Sequence, residues 1–550
     1  MIYAFQLISP AVRRHLILAT LLLAVISQLP AQLNGTYTIG GDSPDYPYIS
    51  AAVAALESEG VSGPVTFLIR PGRYFTHVTL RQVSGSSKYN TITFRSESGD
   101  SDDVMLASTA YRYEDNYVLK FDNARYYRIR GLTIYAESTD FPGTIKVVNE
   151  AFDLQIDDCE IVAENAWSGD LNQAAISIIP SVSSKIYLRN NTIYGGSHGI
   201  YYAGSRVKYS TDTRISGNTV RSFYLTGITL NNLTGGELNS NFIGVWRLRS
   251  GAKGLVMREC NGNFYRPMLV ANNMVTMLDG VNPTVGIYGS SYIQFFHNSL
   301  NNDKGRNLVE IADTRNLAVL NNVLRAGSGF VADVKRTTDL SMDYNDLISS
   351  GYSFGIWEGR TIGTFSKWKL ITGKDQHSIS IDPQYGSLYD LHARASGLIG
   401  AGTPVAAVST DIDGESRSNP PCIGADEFKL IIKFPWWYPM LSTQSVEPVA
   451  AAAGEDAEAK QADHSVSVGE HSIFPSPASD RLNVSLTDAY TGHVILTVMD
   501  GLGRRVSTVS YEKEGADLRA ELAVSDLVPG VYLLQIEEGS DVSVKRFVKR

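Results

Sequence analysis

One short phrase recurs along the middle of the chain and constrains its fold more than any other feature. Each copy has alternating apolar residues, a polar turn, an asparagine and a second apolar stretch, as in Ser184–Gly196 (SKIYLRNNTIYGG). The asparagines lie 23 to 32 residues apart, a period typical of proteins whose repeats stack along one axis. The copies align on Asn191, Asn218, Asn241, Asn273, Asn298, Asn322 and Asn345.

The strands of each copy are too short to bury a face alone, so neighbouring copies must pack against one another. A tight turn favours asparagine at a left-handed position, and asparagines stacked about 4.8 Å apart can form a ladder inside the turn. Two earlier, degenerate copies have Leu132 and Cys159 at the asparagine position. The pattern predicts that four apolar side chains point inward: Ile186, Ile193, Ile228 and Val275.

These repeats resemble the right-handed parallel β-helix of the pectin-lyase-like superfamily, over roughly Thr36–Phe428. A helical pattern at Ser50–Glu59, a strand at Val65–Ile69 and a Pro-Gly turn resemble the cap of that family. The resemblance implies an all-β protein, a right-handed parallel β-helix whose first coil is covered by an N-terminal helix.

Composition divides the rest of the chain. Residues 1–31 have basic residues, an apolar run and then small residues, which predicts a secretory signal peptide. The β-helix and its caps are expected at 32–428, and a strand end with a flexible acidic linker at 429–471. Dense apolar alternation with frequent turns predicts a small Ig-like β-sandwich at 472–550.

The last segment resembles the C-terminal sorting domain of the type IX secretion system. The matching blocks are FPSPASDRLNVSL (Phe474–Leu486), MDGLGRRV (Met499–Val506), LVPGVYLLQI (Leu527–Ile536) and KRFVKR (Lys545–Arg550). The sequence departs from the family at Ser476, where the family usually has asparagine. The resemblance implies that the type IX machinery is a partner. It also implies that the mature protein is secreted or attached to the outer membrane of a Gram-negative bacterium.

Charge and cysteine content limit the other partners. The formal net charge is −9 and there is no Lys/Arg-rich stripe, which argues against nucleic acid. The three cysteines have no metal-ligand spacing, so we expect small buried residues within the coils. We expect a monomer.

In the superfamily's enzymes, the active site lies on the first parallel sheet of each coil. Alternation predicts that one row of side chains faces outward there: Lys120, Lys146, Ser177, Tyr201, Thr229, Val256, Tyr288, Glu310 and Asp333. Glu310 and Asp333 are the acidic pair on successive coils. Their carboxyls are candidates for the roughly 5 Å pair of a retaining glycosidase. Tyr201, Tyr288 and Lys146 are candidates for binding a sugar.

A possible cation site follows the last repeat. Asp411, Asp413 and Glu415 form a D-x-D-G-E sequence that could bind Ca²⁺. The alternative is a simple turn in which Arg417 pairs with one of these acids.

Three functions fit this sequence. The first is binding of a polysaccharide or host surface along the helix flank. The second is a polysaccharide lyase or glycoside hydrolase, although the aspartate cluster of polygalacturonases and the acidic cage of pectate lyases are not visible. The third is a structural surface protein without a small ligand. A resemblance in fold alone does not choose among them.

Overall fold

The computed structural model describes residues 32–429, except 182, 206–209, 246–250, 279–282 and 388. It also describes 470–549, except 475–477, 488–489, 501–504, 529 and 539–540. The chain forms two compact units that divide after Trp436. The predicted signal peptide and most of the predicted linker lie outside the described residues.

Three parallel sheets run along the first unit, and each coil adds one strand to each sheet. Sheet 1 contains Leu33–Ile39, Val61–Ile69, Ile92–Ser96, Tyr127–Arg130, Phe152–Asp157, Ser184–Arg189, Arg214–Ser216, Glu237–Asn239, Met268–Ala271, Ser291–Phe296, Arg315–Leu320 and Thr338–Asp343. Sheet 2 contains Gly72–Phe75, Val104–Ser108, Thr133–Ala136, Glu160–Ala163, Thr192–Tyr194, Thr219–Arg221, Phe242–Gly244, Met274–Met277, Ser299–Asn302, Val323–Ala326 and Asp346–Ser349. Sheet 3 contains Val78–Arg81, Leu119–Asp122, Ile145–Val148, Ile176–Ser181, His198–Gly204, Thr226–Asn231, Lys253–Arg258, Val285–Tyr288, Asn307–Ala312, Phe330–Lys335, Gly355–Trp357 and the antiparallel Arg360–Ile362.

This architecture is the predicted right-handed parallel β-helix. A further pair of very short strands, Ser210–Thr211 and Leu233–Thr234, extends one turn. Alternate residues of each strand point into a continuous apolar core, which is the main source of stability in such a stack. The four side chains expected to point inward, Ile186, Ile193, Ile228 and Val275, are all buried.

The predicted asparagine ladder is present between sheets 1 and 2. In each rung, Nδ2 donates to Oδ1 of the asparagine on the next coil at 2.9 to 3.0 Å. The same Oδ1 accepts the backbone N–H of the preceding asparagine at 2.8 to 3.1 Å. The backbone N–H of Cys159 donates to Asn191 at 3.0 Å, so the cysteine occupies the first position of the ladder.

The left-handed residue of this turn is not the ladder asparagine, as the sequence suggested, but the residue before it. Positive φ falls on Asn190, Gly217, Ser240, Asn272, His297, Asn321 and Tyr344. The degenerate copies have the same bend at Gly131 and Asp158. The left-handed residue makes the bend, and the residue that follows it, an asparagine in seven copies, is buried at the inner side of the bend.

Both ends of the stack are covered. The helix Ile49–Glu59 buries Ile49, Val53 and Leu56 against the first coils and ends at Gly60, whose φ is 71°. At the other end, the helix Phe365–Thr372 buries Trp368, whose Nε1 donates to Asp375 at 2.9 Å. The other Asp375 oxygen accepts from Asn345 at 3.1 Å, so this carboxylate terminates the ladder. Caps of this kind satisfy backbone and side-chain groups that the last coil would leave exposed.

The segment 373–429, which we call the tail, folds back along the outer face of sheet 2. The backbone N–H of Gly424 donates to the carbonyl of Asn321 at 2.8 Å, and that of Ala425 donates to Ser299 Oγ at 3.0 Å. The outward-facing Val323 is buried beneath Leu398 and Ile423. The tail includes a short helical turn at Ser396–Leu398, and another lies earlier at Leu171–Gln173. The cysteines Cys159, Cys260 and Cys422 are free and buried, as expected, but Cys422 lies in the tail rather than within a coil.

The second unit is the predicted antiparallel sandwich. One sheet contains Glu470–Phe474, Arg481–Thr487 and Asp517–Ala523, and the other contains Gly492–Asp500, Arg505–Lys513, Gly530–Glu538 and Asp541–Lys549. Apolar side chains of the two sheets share one core. Within the described parts of the chain, no helix has the length and apolar character needed to cross a lipid bilayer.

Replacing Asn241 with alanine should lower the free energy of unfolding by about 1–3 kcal/mol, because it leaves the buried backbone N–H of Asn218 without an acceptor. Asn239→Ala is the matched control, since Asn239 lies two residues earlier in the same coil and is only partly buried. Denaturant unfolding followed by circular dichroism measures both. Equal losses in the two variants would contradict a stabilising role for the ladder.

Burial of Asp346 beneath the tail should make stability depend on pH. Burial raises the pKa of this carboxyl to about 7, although it accepts a hydrogen bond from Ile381 N–H at 2.9 Å. The unfolded carboxyl ionises near pH 3.8, so the proton stabilises the folded state at low pH and this contribution is lost as pH rises towards 7. The loss should be about 1.4 kcal/mol per pH unit in that window.

Asp346→Asn should therefore melt at a higher temperature than the parent protein at pH 8, and the difference should shrink at pH 5. Asp343→Asn serves as the contrast. His377 pairs with the Asp343 carboxylate, and the pKa of Asp343 is lowered despite partial burial. A parent protein whose melting temperature matches that of Asp346→Asn at every pH would contradict this assignment.

Candidate functional site

The outer face of sheet 3 carries the row of side chains expected from the sequence, with one correction. The register aligns Lys120, Lys146, Ser177, Tyr201, Thr229, Val256, Gly286, Glu310 and Asp333. Gly286 occupies the place expected for Tyr288, because Val285 and Ile287 are the buried positions of that strand. Tyr288 lies two residues further along the same outer face, in line with Arg258 and Ala312.

Glu310 is the centre of a charged and aromatic group on this face. Its Oε1 contacts Lys335 Nζ at 2.5 Å, and its Oε2 accepts a hydrogen bond from the Tyr288 hydroxyl at 2.9 Å. The Arg258 guanidinium lies 4.5 Å from the centre of the Tyr288 ring, a cation–π distance. Asp333 pairs with Glu310 in register, one coil further along. We call these five residues the Glu310 cluster: Arg258, Tyr288, Glu310, Asp333 and Lys335.

The two carboxyls of the cluster have pKa values that move in opposite directions. Burial works to raise the pKa of Glu310, but hydrogen bonds from Lys335 and Tyr288 outweigh it and lower the pKa below its ordinary value. For Asp333, burial raises the pKa, and the negative charge of Glu310 adds to this effect against the opposing charge of Lys335. Glu310 is therefore held as a carboxylate, while Asp333 keeps its proton to a higher pH than usual.

The other two predicted ligand-binding residues lie elsewhere on the row. Tyr201 is three strands before Gly286, and its hydroxyl accepts a hydrogen bond from Asn231 Nδ2 at 3.2 Å. Lys146 is six strands before Glu310, about 29 Å away at the usual strand spacing. Burial and the neighbouring Lys120 lower the Lys146 pKa. The structure thus brings Tyr288 to Glu310 and Asp333, but leaves Tyr201 and Lys146 apart from them.

Sequence reasoning missed Arg258 and Lys335. Both follow a residue of the predicted row by two positions, so strand alternation places them on the same outer face. Extending the row by one outward position per strand would have found them. Their contact with Tyr288 and Glu310 depends on side-chain length and direction, which alternation does not specify.

The predicted calcium ligands do not converge on one point. The Asp411 carboxylate is buried and accepts three backbone N–H groups, from Asp413 at 3.0 Å, Glu415 at 2.7 Å and Glu427 at 2.9 Å. Asp413 instead contacts His392, with 3.0 Å between Oδ2 and Nε2. Arg417 pairs with Glu427 at 3.4 Å rather than with any acid of the trio. Asp411 therefore serves as the acceptor that organises a turn.

The first unit is thus a right-handed parallel β-helix with a charged outer face on sheet 3, and a small sandwich follows it in the chain. Residues 472–550 match the family described as a secretion system C-terminal sorting domain. The chain therefore carries a type IX sorting domain, and the protein is secreted or attached to the cell surface. No curated protein gives a match to this sequence.

Several solved structures align with part of this chain. The GH136 lacto-N-biosidase from Eubacterium ramulus aligns at 11% identity and a TM-score of 0.43, over 59% of this chain and 65% of that one. The periplasmic alginate epimerase AlgG aligns at 13% identity and a TM-score of 0.34, over 58% and 80%. The GH87 α-1,3-glucanase catalytic domain in complex with tetrasaccharides aligns at 11% identity and 0.26, over 58% and 61%. This chain thus spans less than two thirds of the lacto-N-biosidase.

Proposed function

We propose that the protein binds a polysaccharide along the outer face of sheet 3, with the Glu310 cluster as the main contact. The observation that carries this proposal is the joint placement of Tyr288, Glu310, Asp333 and Lys335 on adjacent coils. Hydroxyl-rich ligands are recognised by a few fixed polar groups beside an aromatic surface. The cluster offers both kinds of contact in one place.

The ion pair at the centre of the cluster supports binding more than it supports a purely structural role. The Glu310 and Lys335 side chains retain 18% and 34% of their exposure, so a ligand hydroxyl can reach them. A partly exposed ion pair of this kind contributes little to folding stability, about 0–1 kcal/mol. Lys335 and Tyr288 nevertheless hold Glu310 in one orientation, and such preorganisation lowers the cost of binding.

A second candidate function is hydrolysis of a glycosidic bond by Glu310 and Asp333. It is favoured by the opposite pKa shifts of the two carboxyls, since such a pair can divide the roles of nucleophile and acid. In this assignment Glu310 would attack as the carboxylate, and Asp333 would protonate the leaving oxygen. The ligand class is the same for both functions, so one experiment can compare them.

A panel of polysaccharides tested by calorimetry should contain a ligand whose binding weakens at least about tenfold in Glu310→Gln and in Tyr288→Leu. Glu237→Gln is the matched control, because Glu237 is a partly exposed carboxylate on sheet 1, away from the cluster. Unchanged affinity in both cluster variants would contradict the proposed site. New reducing ends that appear with the parent protein and disappear in Glu310→Gln would establish the second candidate.

We further propose that the sorting domain directs passage across the outer membrane and attachment to the surface of a Gram-negative cell. The strand Asp541–Lys549 lies at the edge of its sheet. It pairs along Gly530–Glu538 and buries Phe547 in the sandwich core, so the fold of this unit depends on it. Its backbone also accepts a hydrogen bond from Ala478 at 2.7 Å, at the carbonyl of Val548. The proposal includes the domain limits: the β-helix with its caps at 32–428, the strand end and linker at 429–471 and the sorting domain at 472–550.

Deleting Val544–Arg550 should leave the protein in the periplasm, because the deletion removes most of an edge strand and its buried Phe547. The β-helix should stay folded there, since its core is separate from that of the sandwich. Cell fractionation with limited proteolysis measures both results, and Arg481→Ala, at an exposed ion pair of the same unit, is the control. Normal surface amounts of the truncated protein would rule out this role.

A further inference from the structure

A group of side chains in the tail has the composition of a metal site. His392, Asp413 and Asp426 each present one donor atom, and these atoms lie within 4.8 Å of one another. The three residues come from separate segments of the tail. Only Asp413 belongs to the trio suggested by the D-x-D-G-E sequence, so the group was not visible in the sequence.

The backbone around these residues is fixed by the buried carboxylate of Asp411. One of its oxygens accepts the N–H groups of Asp413 and Glu415, and the other accepts that of Glu427. A further backbone bond joins Ile412 N–H to the carbonyl of Ala425 at 3.0 Å. These bonds hold the turn that carries Asp413 against the segment that carries Asp426.

The imidazole of His392 is oriented as a ligand would be. Asp390 Oδ1 lies 2.5 Å from Nδ1, on the far side of the ring, and also accepts the backbone N–H of His392 at 3.2 Å. This contact directs Nε2 towards Asp413, at 3.0 Å. Metal-binding histidines commonly have a carboxylate on the second ring nitrogen, which fixes the tautomer and the ring plane.

Asp426 is the second, independent indication of a cation. The residue as a whole is only 9% exposed, and within the described part of the chain no protein group donates a hydrogen bond to its carboxylate. The charged groups around it are His392 and three further acids, Asp411, Asp413 and Glu415. A buried carboxylate beside other carboxylates is costly unless a cation or a donor compensates it.

We propose that His392, Asp413 and Asp426 bind a divalent transition-metal ion of the zinc type, with Asp390 as the positioning residue for His392. Imidazole nitrogen together with carboxylate oxygen suits zinc and its neighbours, whereas Ca²⁺ and Mg²⁺ prefer oxygen ligands alone. Donors around a tetrahedral zinc ion stand about 3.3 Å apart, so binding draws the three side chains slightly together. The ion joins three segments of the tail to one another.

The test uses the purified protein after chelator treatment and dialysis, titrated with zinc chloride. One zinc ion per chain should bind and raise the melting temperature, as any ligand of the folded state does. His392→Asn and Asp426→Asn should abolish this binding, and Asp390→Asn should weaken it about 10- to 100-fold. Asp413→Asn also removes a proposed ligand, but at a side chain that is 57% exposed, so this variant should fold normally. A loss of zinc binding in it therefore cannot be explained by unfolding.

His377→Asn is the matched control, since His377 also pairs with an aspartate, Asp343, but lies outside the group. Its zinc affinity should equal that of the parent protein. The proposal is overturned if zinc does not bind saturably or if stoichiometric binding survives His392→Asn. Calcium chloride binding at the same residues in place of zinc would overturn the assignment to a transition metal.

Discussion

The asparagine ladder is the interaction on which the rest of this structure depends. Every rung uses one amide oxygen as a double acceptor, for the side chain and the backbone of the preceding asparagine. The amide nitrogen also donates to a carbonyl of the preceding coil, as from Asn241 to Ile215 at 2.8 Å. An apolar residue at one of these rungs would leave the buried backbone N–H of the preceding asparagine without its acceptor. Along the ladder, each coil is therefore held in a fixed register with its neighbour.

This fixed register determines which side chains lie next to one another on the outer faces. Because the coils cannot slip, residues at equivalent strand positions stand one strand spacing apart along the whole unit. Glu310 and Asp333, whose coils both carry a ladder asparagine, are neighbours for this reason. The inward positions are occupied by apolar side chains, whereas the outward positions vary freely between glycine, valine and charged residues. A functional group on such a protein can thus change without any change in the core.

The sequence predicted the fold well because its signal is repeated many times. Alternation and asparagine spacing agree in seven copies, so the two copies that lack the asparagine do not change the conclusion. Two local features were placed wrongly: the left-handed residue precedes the ladder asparagine, and Gly286 takes the place given to Tyr288. Both depend on the position of a single residue within one turn or strand. In the Glu310 cluster, the carboxyl pair and Tyr288 were predictable, whereas the contacts of Arg258 and Lys335 required side-chain directions.

The tail has no repeat, and for that reason its contacts could not be predicted. His392 and Asp413 are 21 residues apart, and Asp343 and His377 are 34 apart, with no periodic pattern to join them. The tail contacts several coils, as Gly424 does at Asn321 and Ala425 does at Ser299. Asp346 and Asp375 are buried where coil meets tail, one held by Ile381 N–H and the other by Trp368. Several of the buried acids of the β-helix unit are therefore concentrated where the repeat ends or is covered. Each polar group at these places needs its own hydrogen-bond partner, because the next coil is absent or another segment of the chain replaces solvent.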